Sequence, residues 1–368
     1  MSSVIKILLC GDVMLGRGID QILPFPNNPR IHEPFVKDAR HYIRFAEEIS
    51  GKINYPVSFD YVWGDALTEF EKENINLRII NLETSITSNE EFEPKGINYK
   101  LNPKNIEVLK TFKVDIVCLA NNHILDYKEK GLLDTLETLE KVNILYCGAG
   151  KDINEAKKPA IKDFLDYRVL VFNYAHISSG TPINWKAENN KPGINLIIDF
   201  KKEFKSIENN IKSFKSDKDF VIFSIHTGPN WGYEINFEEQ EFFHKLIDKE
   251  LVDLIFAHSS HHFKGLEIYK NKLIFYGAGD FINDYEGIGG YEWFRPNLVL
   301  GYIVEVNLDR HSINNLIIKP FKIRKLSLNY CNEKEINWIF EKLKEISIGN
   351  LNLQKIDNYL KLSFYSNF

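Results

Sequence analysis

Three of the chain's ten histidines fall within five residues, His258, His261 and His262, directly after the apolar run Leu254-Ile255-Phe256. In an α/β protein the loop at the carboxyl end of a buried strand faces the active-site crevice, and imidazole is the commonest metal ligand. The cluster therefore points to metal chemistry. A polar surface run would have the same composition, so the reading depends on what stands at the other strand ends.

Those ends carry more of the same chemistry. Gly11-Asp12 follows the first apolar run, and glycine allows the tight turn that lets the carboxylate project. Glu83 follows the run ending at Asn81, and Asn121-Asn122-His123 follows the run ending at Ala120. An amide oxygen is a neutral metal ligand, and a neighbouring imidazole can act as general acid or base near neutral pH, which is the role expected of His123. The same Asn-Asn-His also reads as a helix cap. His226 closes another apolar run and opens the glycine- and aromatic-rich stretch Gly228 to Glu234, a candidate ligand beside a substrate wall. A mixed oxygen and nitrogen set of this kind suits Mn, Zn, Fe or Mg, and two carboxylates with several imidazoles could hold one or two ions. The chemistry would be Lewis-acid activation of a water or of a carbonyl or phosphoryl oxygen. For a two-base reaction, Asp12 and a histidine of the cluster, His262 included, are the opposed candidates.

Strand-length apolar runs recur at 5–10, 77–81, 116–120, 144–147, 169–173, 220–225, 251–256, 273–276 and 298–306. Stretches of helical period separate several of them, at 59–74, 131–142, 200–214 and 237–251. Strand, helix, strand predicts an α/β layered fold with much parallel pairing. Residues 24–61, rich in proline and charge, read as a long insertion bordering the site. The expected division is a main domain over 1–325 and a C-terminal helical appendage over 326–368, with a helix near 336–348.

Composition excludes some partners. The chain has 368 residues, a net charge of -5, 44% hydrophobic and 26% charged residues, and no basic run that would suit a nucleic acid. Its four cysteines are far apart, which predicts reduced thiols and no disulfide framework. Residues 4–10 form an apolar run of strand length with a lysine inside it and no cleavage signal after it, and no run is long enough to span a bilayer. The expectation is a cytoplasmic protein without a membrane segment.

Taken in order, the motifs Gly11-Asp12-Val13-Met14, Asn81-Leu82-Glu83, Ala120-Asn121-Asn122-His123, His226 with Trp231-Gly232-Tyr233-Glu234, and His258 to His261 followed by Tyr276 to Phe281 resemble the CapA/PgsA capsule (poly-γ-glutamate) synthesis family. That family is similar to the calcineurin-like metallophosphatases. The resemblance implies a four-layer αββα sandwich around a two-metal site. It implies Asp12, Glu83, Asn122, His226, His258 and His261 as metal ligands, and His123 as general acid or base. Arg17, Trp231, Tyr233, Glu234, Asp284, Tyr285 and Arg295 are candidates for lining the substrate pocket, with Lys95-Gly96 a weaker one. Three positions depart from the pattern: Met14 replaces a metal-binding histidine of the phosphatases, Thr227 a common tryptophan and Ala257 a glycine. The function implied is a metal-dependent enzyme acting on a peptide or γ-glutamyl amide. Peptide epimerisation, phosphoester hydrolysis and a non-catalytic accessory role in polymer synthesis are the alternatives.

Overall fold

The computed structural model describes residues 3–364; residues 1–2 and 365–368, the outer ends of the two expected domains, lie outside the described residues. Two large sheets organise a mixed α/β fold. In the ten-stranded sheet, Val4–Val13, Leu77–Leu82, Ile116–Cys118 and Leu145–Cys147 run parallel side by side. From Val4–Val13 the sheet continues antiparallel through Leu298–Asn307, Ser312–Arg324, Tyr359–Ser363 and Leu353–Ile356. In the seven-stranded sheet, Leu196–Ile197, Tyr167–His176, Asp219–His226, Leu254–His258 and Lys272–Phe275 are parallel, and Leu266–Tyr269 closes one edge antiparallel.

The period-two alternation of each strand sorts its side chains between separate cores. Ile7, Leu9 and Ile79 of the first sheet meet Val171, Ile222 and Phe256 of the second in one core. Their chain neighbours Leu8, Cys10 and Ile80 point the other way, against Phe70, Leu109 and Leu136 of the helices Gly64–Glu71, Glu107–Thr111 and Lys128–Lys141. On the far side, Val221, Phe223 and Ile255 pack on Phe204, Ile207 and Phe243 of the helices Phe200–Phe214 and Phe237–Asp248. Strands covered on both faces read as unbroken apolar runs, which is why periodicity located them. Each fully buried Val, Leu, Ile or Phe contributes about 1.5–3 kcal/mol, so these three cores hold the strand ends rigidly.

The expected strands all form, with ends shifted by a few residues. The helical period at 59–74 resolves into a short 3-10 turn, Tyr61–Trp63, and the helix Gly64–Glu71. Residues 24–61 contain the helix Arg40–Ser50, whose Tyr42, Ile43 and Ala46 are buried. The C-terminal helix occupies Glu333–Ile346, but the stretch around it is not purely helical. Ser327–Tyr330, Leu353–Ile356 and Tyr359–Ser363 are strands, all of the ten-stranded sheet, and short runs of mixed polarity hid them from the periodicity. All four cysteines are free, three of them buried.

Candidate metal centre

Parallel strands deliver their carboxyl ends to one edge, and the register fixes who meets whom. Asp12 lies opposite Asn81 on one side and Asp280 on the other, and His226 lies opposite His258. All of these side chains are buried. The Asp12 carboxylate accepts hydrogen bonds from Asn81 Nδ2 at 2.7 Å and from the Ser259 backbone N–H at 3.0 Å, which orient it.

Asp12, His226 and His258 converge. His226 Nδ1 and His258 Nδ1 are 3.0 Å apart, and they lie 3.8 and 3.4 Å from Asp12 Oδ1. Donors in a tetrahedral shell of radius about 2 Å are separated by roughly 3.3 Å, so this triangle is the right size for one face of such a shell. Ser224 Oγ meets His258 Nε2 at 2.9 Å and fixes the ring so that Nδ1 faces the centre. The other nitrogen of His226 faces a second group: Asn122 Oδ1 at 3.1 Å and Glu83 Oε1 at 3.8 Å, with His123 Nε2 3.7 Å from the same Glu83 oxygen.

Glu83 makes the strongest electrostatic demand. Its Oε2 is buried without a hydrogen-bond partner. Burial, followed by the charges of Asp12 and Asp280, pushes its carboxyl well above the usual range. Burial also holds the imidazoles of His226 and His123 well below theirs, so both favour the neutral form that ligates or accepts a proton. A set of oxygens and neutral nitrogens with one buried carboxyl oxygen lacking a partner fits a divalent cation.

His261 is placed differently from the other expected ligands. Its Nδ1 pairs with Asp280 Oδ1 at 3.0 Å and its Nε2 lies 3.3 Å from the Tyr285 hydroxyl. With Nδ1 held by Asp280, Nε2 is the nitrogen that faces the Tyr285 side of the centre. The phenol of Tyr285 also donates to Met14 Sδ at 3.8 Å.

The contacts of the other expected residues show where each of them stands. Both nitrogens of His262 are occupied: Nδ1 faces the Phe263 carbonyl at 3.0 Å and Nε2 accepts from the Gly232 N–H at 3.1 Å. With burial pushing its pKa down to about 4, His262 is a structural clamp on the aromatic loop with no free atom to carry a proton. Arg17 and Asp284 satisfy each other. The guanidinium pairs with both Asp284 oxygens, with Glu33 at 3.0 Å and with the Tyr42 hydroxyl at 2.9 Å, wholly inside the protein. Arg295 is exposed and lies over Trp338, 4.4 Å from its ring, and Glu234 is also exposed. Trp231 does flank the centre, 5.4 Å from the His261 ring and stacked on Tyr291 at 4.0 Å, while Tyr233 packs edge-on against His262.

Sequence reasoning assigned no role to Asp280, Asp126, Asn81 and Ser224. Asp126 and Lys95 build a small relay: Asp126 Oδ2 holds His123 Nδ1 at 2.6 Å, and Lys95 Nζ lies 2.9 Å from the other Asp126 oxygen and 3.2 Å from the same imidazole nitrogen. The spacing His123-Ile124-Leu125-Asp126 on a turn was the available signal for this pair.

These contacts define an α/β protein with a buried cluster of carboxylates, imidazoles and an amide at the carboxyl ends of parallel strands, a centre suited to divalent cations. Residues 6–285 match the family described as bacterial capsule synthesis protein PGA_cap, and the chain belongs to that family. It is similar to a probable polyglutamine synthesis accessory protein of Mycobacterium tuberculosis, 37% identical over 365 residues, covering 98% of this chain and 96% of that protein. It is also similar to the PGA biosynthesis protein CapA of Bacillus subtilis, 23% identical over 312 residues, 83% of this chain and 69% of that one. The capsule biosynthesis protein CapA of Bacillus anthracis is 21% identical over 276 residues, 75% of this chain and 59% of that one. Among the described residues no helix is long and apolar enough to cross a membrane.

Proposed function

We propose that this protein is a metal-dependent enzyme with a four-layer αββα, metallophosphatase-like sandwich, acting on a peptide or γ-glutamyl amide. The observation that carries this reading is the triangle of Asp12, His226 and His258 beside Glu83, whose buried Oε2 has no hydrogen-bond partner. Asp12, Glu83, Asn122, His226, His258 and His261 are the residues that would hold one or two ions. A bound divalent ion supplies Lewis-acid polarisation of a carbonyl oxygen and activation of water.

The chain's own residues supply the rest. Asp126 keeps the His123 proton on Nδ1 and so leaves Nε2 free to take a proton from water or give one to a leaving amine. Lys95 limits the charge that builds up on this pair. Trp231 and Tyr291 form a flat wall beside His261 for the substrate backbone. The names of the relatives support a link to glutamate polymers.

The name of the mycobacterial relative also favours a second reading, a non-catalytic accessory role. Metal content of the reconstituted protein, measured with Asp12→Ala and His258→Ala alongside, separates the two when combined with peptide turnover in deuterated water. New amine ends indicate amide hydrolysis. Deuterium at an α-carbon instead indicates epimerisation, and turnover of an aryl phosphate that is lost in His123→Ala indicates phosphoester hydrolysis. Stoichiometric metal without any turnover supports the accessory role, and a wild-type protein that takes up no metal overturns the proposal.

A further inference from the structure

The molecule holds a second polar concavity away from the carboxylate cluster. A cavity of about 560 Å³ lies between residues 30–37 of the charged segment and the loop that carries Lys95. Its polar walls are Arg30, His32 and Lys37, facing Phe92, Pro94 and Gly96. In a chain of net charge -5, two cationic side chains, Arg30 and Lys37, around one cavity with no carboxylate in its lining are a local inversion of charge.

Four neighbouring acids are engaged elsewhere. Glu33 is paired with Arg17, Asp38 with Arg40, Glu90 with Lys100 and Glu93 with Lys128. Among the described residues Arg30 and Lys37 make no ion pair, and the Lys37 ammonium donates to a backbone carbonyl, that of Glu33. His32 stacks face to face on Phe92, ring centroids 3.6 Å apart, and pins the two walls together. Its imidazole is held below the ordinary value by burial and by Arg30. Gly96 leaves open space where a side chain would stand. It follows Lys95 in the chain, and Lys95 reaches His123 and Asp126.

We propose that this cavity is an anion subsite that receives an oxyanion, a carboxylate or a phosphate, carried by the substrate part next to the bond held at the metal centre. Two cations without ion-pair partners set around one concavity attract such a group more strongly than a lone surface charge does. The aromatic floor and the missing side chain at Gly96 leave room for the chain that bears it. The inference rests on the proposed enzyme only for what lies at the other end of the substrate. Anion binding itself does not require turnover.

The test is calorimetric titration of metal-reconstituted wild type and of the Arg30→Ala/Lys37→Ala variant with three probes: tetra-γ-glutamate, its uncharged side-chain amide, and inorganic phosphate. Both replaced residues are exposed, so the fold is expected to survive, with circular dichroism and metal content as controls. The expected result is a Kd for tetra-γ-glutamate at least tenfold weaker in the variant, with little binding of the amide by either protein. A loss confined to phosphate assigns the cavity to a phosphate-bearing ligand, which also supports the subsite. Equal affinity of both proteins for both anions overturns it. Metal uptake falling in the wild type overturns the proposed enzyme instead and leaves this comparison readable.

Discussion

At the centre, Glu83 is a buried carboxyl with one oxygen unsatisfied and two like charges close by. Without a cation it opposes folding, and in the proposed centre a bound cation would relieve it. The Glu83→Gln protein is therefore expected to be more stable than wild type by roughly 1–3 kcal/mol when both are metal-free at pH 8, and to bind metal at least tenfold more weakly. Denaturant melts with and without chelator, read beside metal content, check both signs. His262 gives the opposite pattern. Its two ring hydrogen bonds and its packing against Phe294 and Trp231 serve the fold, so His262→Ala is expected to lower stability by roughly 2 kcal/mol while metal stoichiometry is unchanged. Loss of metal in that variant would restore His262 to the site.

Elements hold these residues through their ends. The helix Glu333–Ile346 starts in a capping box, Asn332 receiving the Glu335 N–H while the Glu335 carboxylate returns to the Asn332 N–H. Asn332→Ala is expected to cost about 1 kcal/mol, measured by urea unfolding. At the opposite end of the strands from the metal centre, Asp253 accepts from the Val221 N–H at 2.9 Å and faces His311 at 3.8 Å. The Asp253 carboxylate beside it raises the His311 pKa above its ordinary value. A raised imidazole contributes its stability fully below the unfolded value of 6.5 and loses it as pH rises through the folded value. His311→Ala should accordingly cost more at pH 5.5 than at pH 8.5, by less than about 1 kcal/mol, in paired melts. An equal cost at both pH values would show that the pair is not ionic.

For the whole molecule, the two sheets meet in one core while their polar strand ends gather at one edge, so an ion bound there would be linked to folding. An ion present at a hundred times its Kd stabilises the native state by about 2.7 kcal/mol. Chelation is therefore expected to lower Tm by several degrees, and Asp12→Ala should show no such response in a thermal melt. Much of this architecture was legible beforehand. Runs such as Phe220 to Ile225 are covered on both faces, and burial on both faces leaves a signal in one dimension. Ser327–Tyr330 and Tyr359–Ser363 left none, being short and only partly buried. The sequence by itself determined which apolar runs become strands and the residue types at their ends, because both follow from local periodicity and spacing. Only the tertiary structure decided that Asp280 stands beside Asp12, that Asp126 and Lys95 attend His123, and that Arg17 and His262 are already spoken for. Those are contacts between segments distant in the chain or between side chains with several possible partners, and which partner wins is settled by packing that no local pattern encodes.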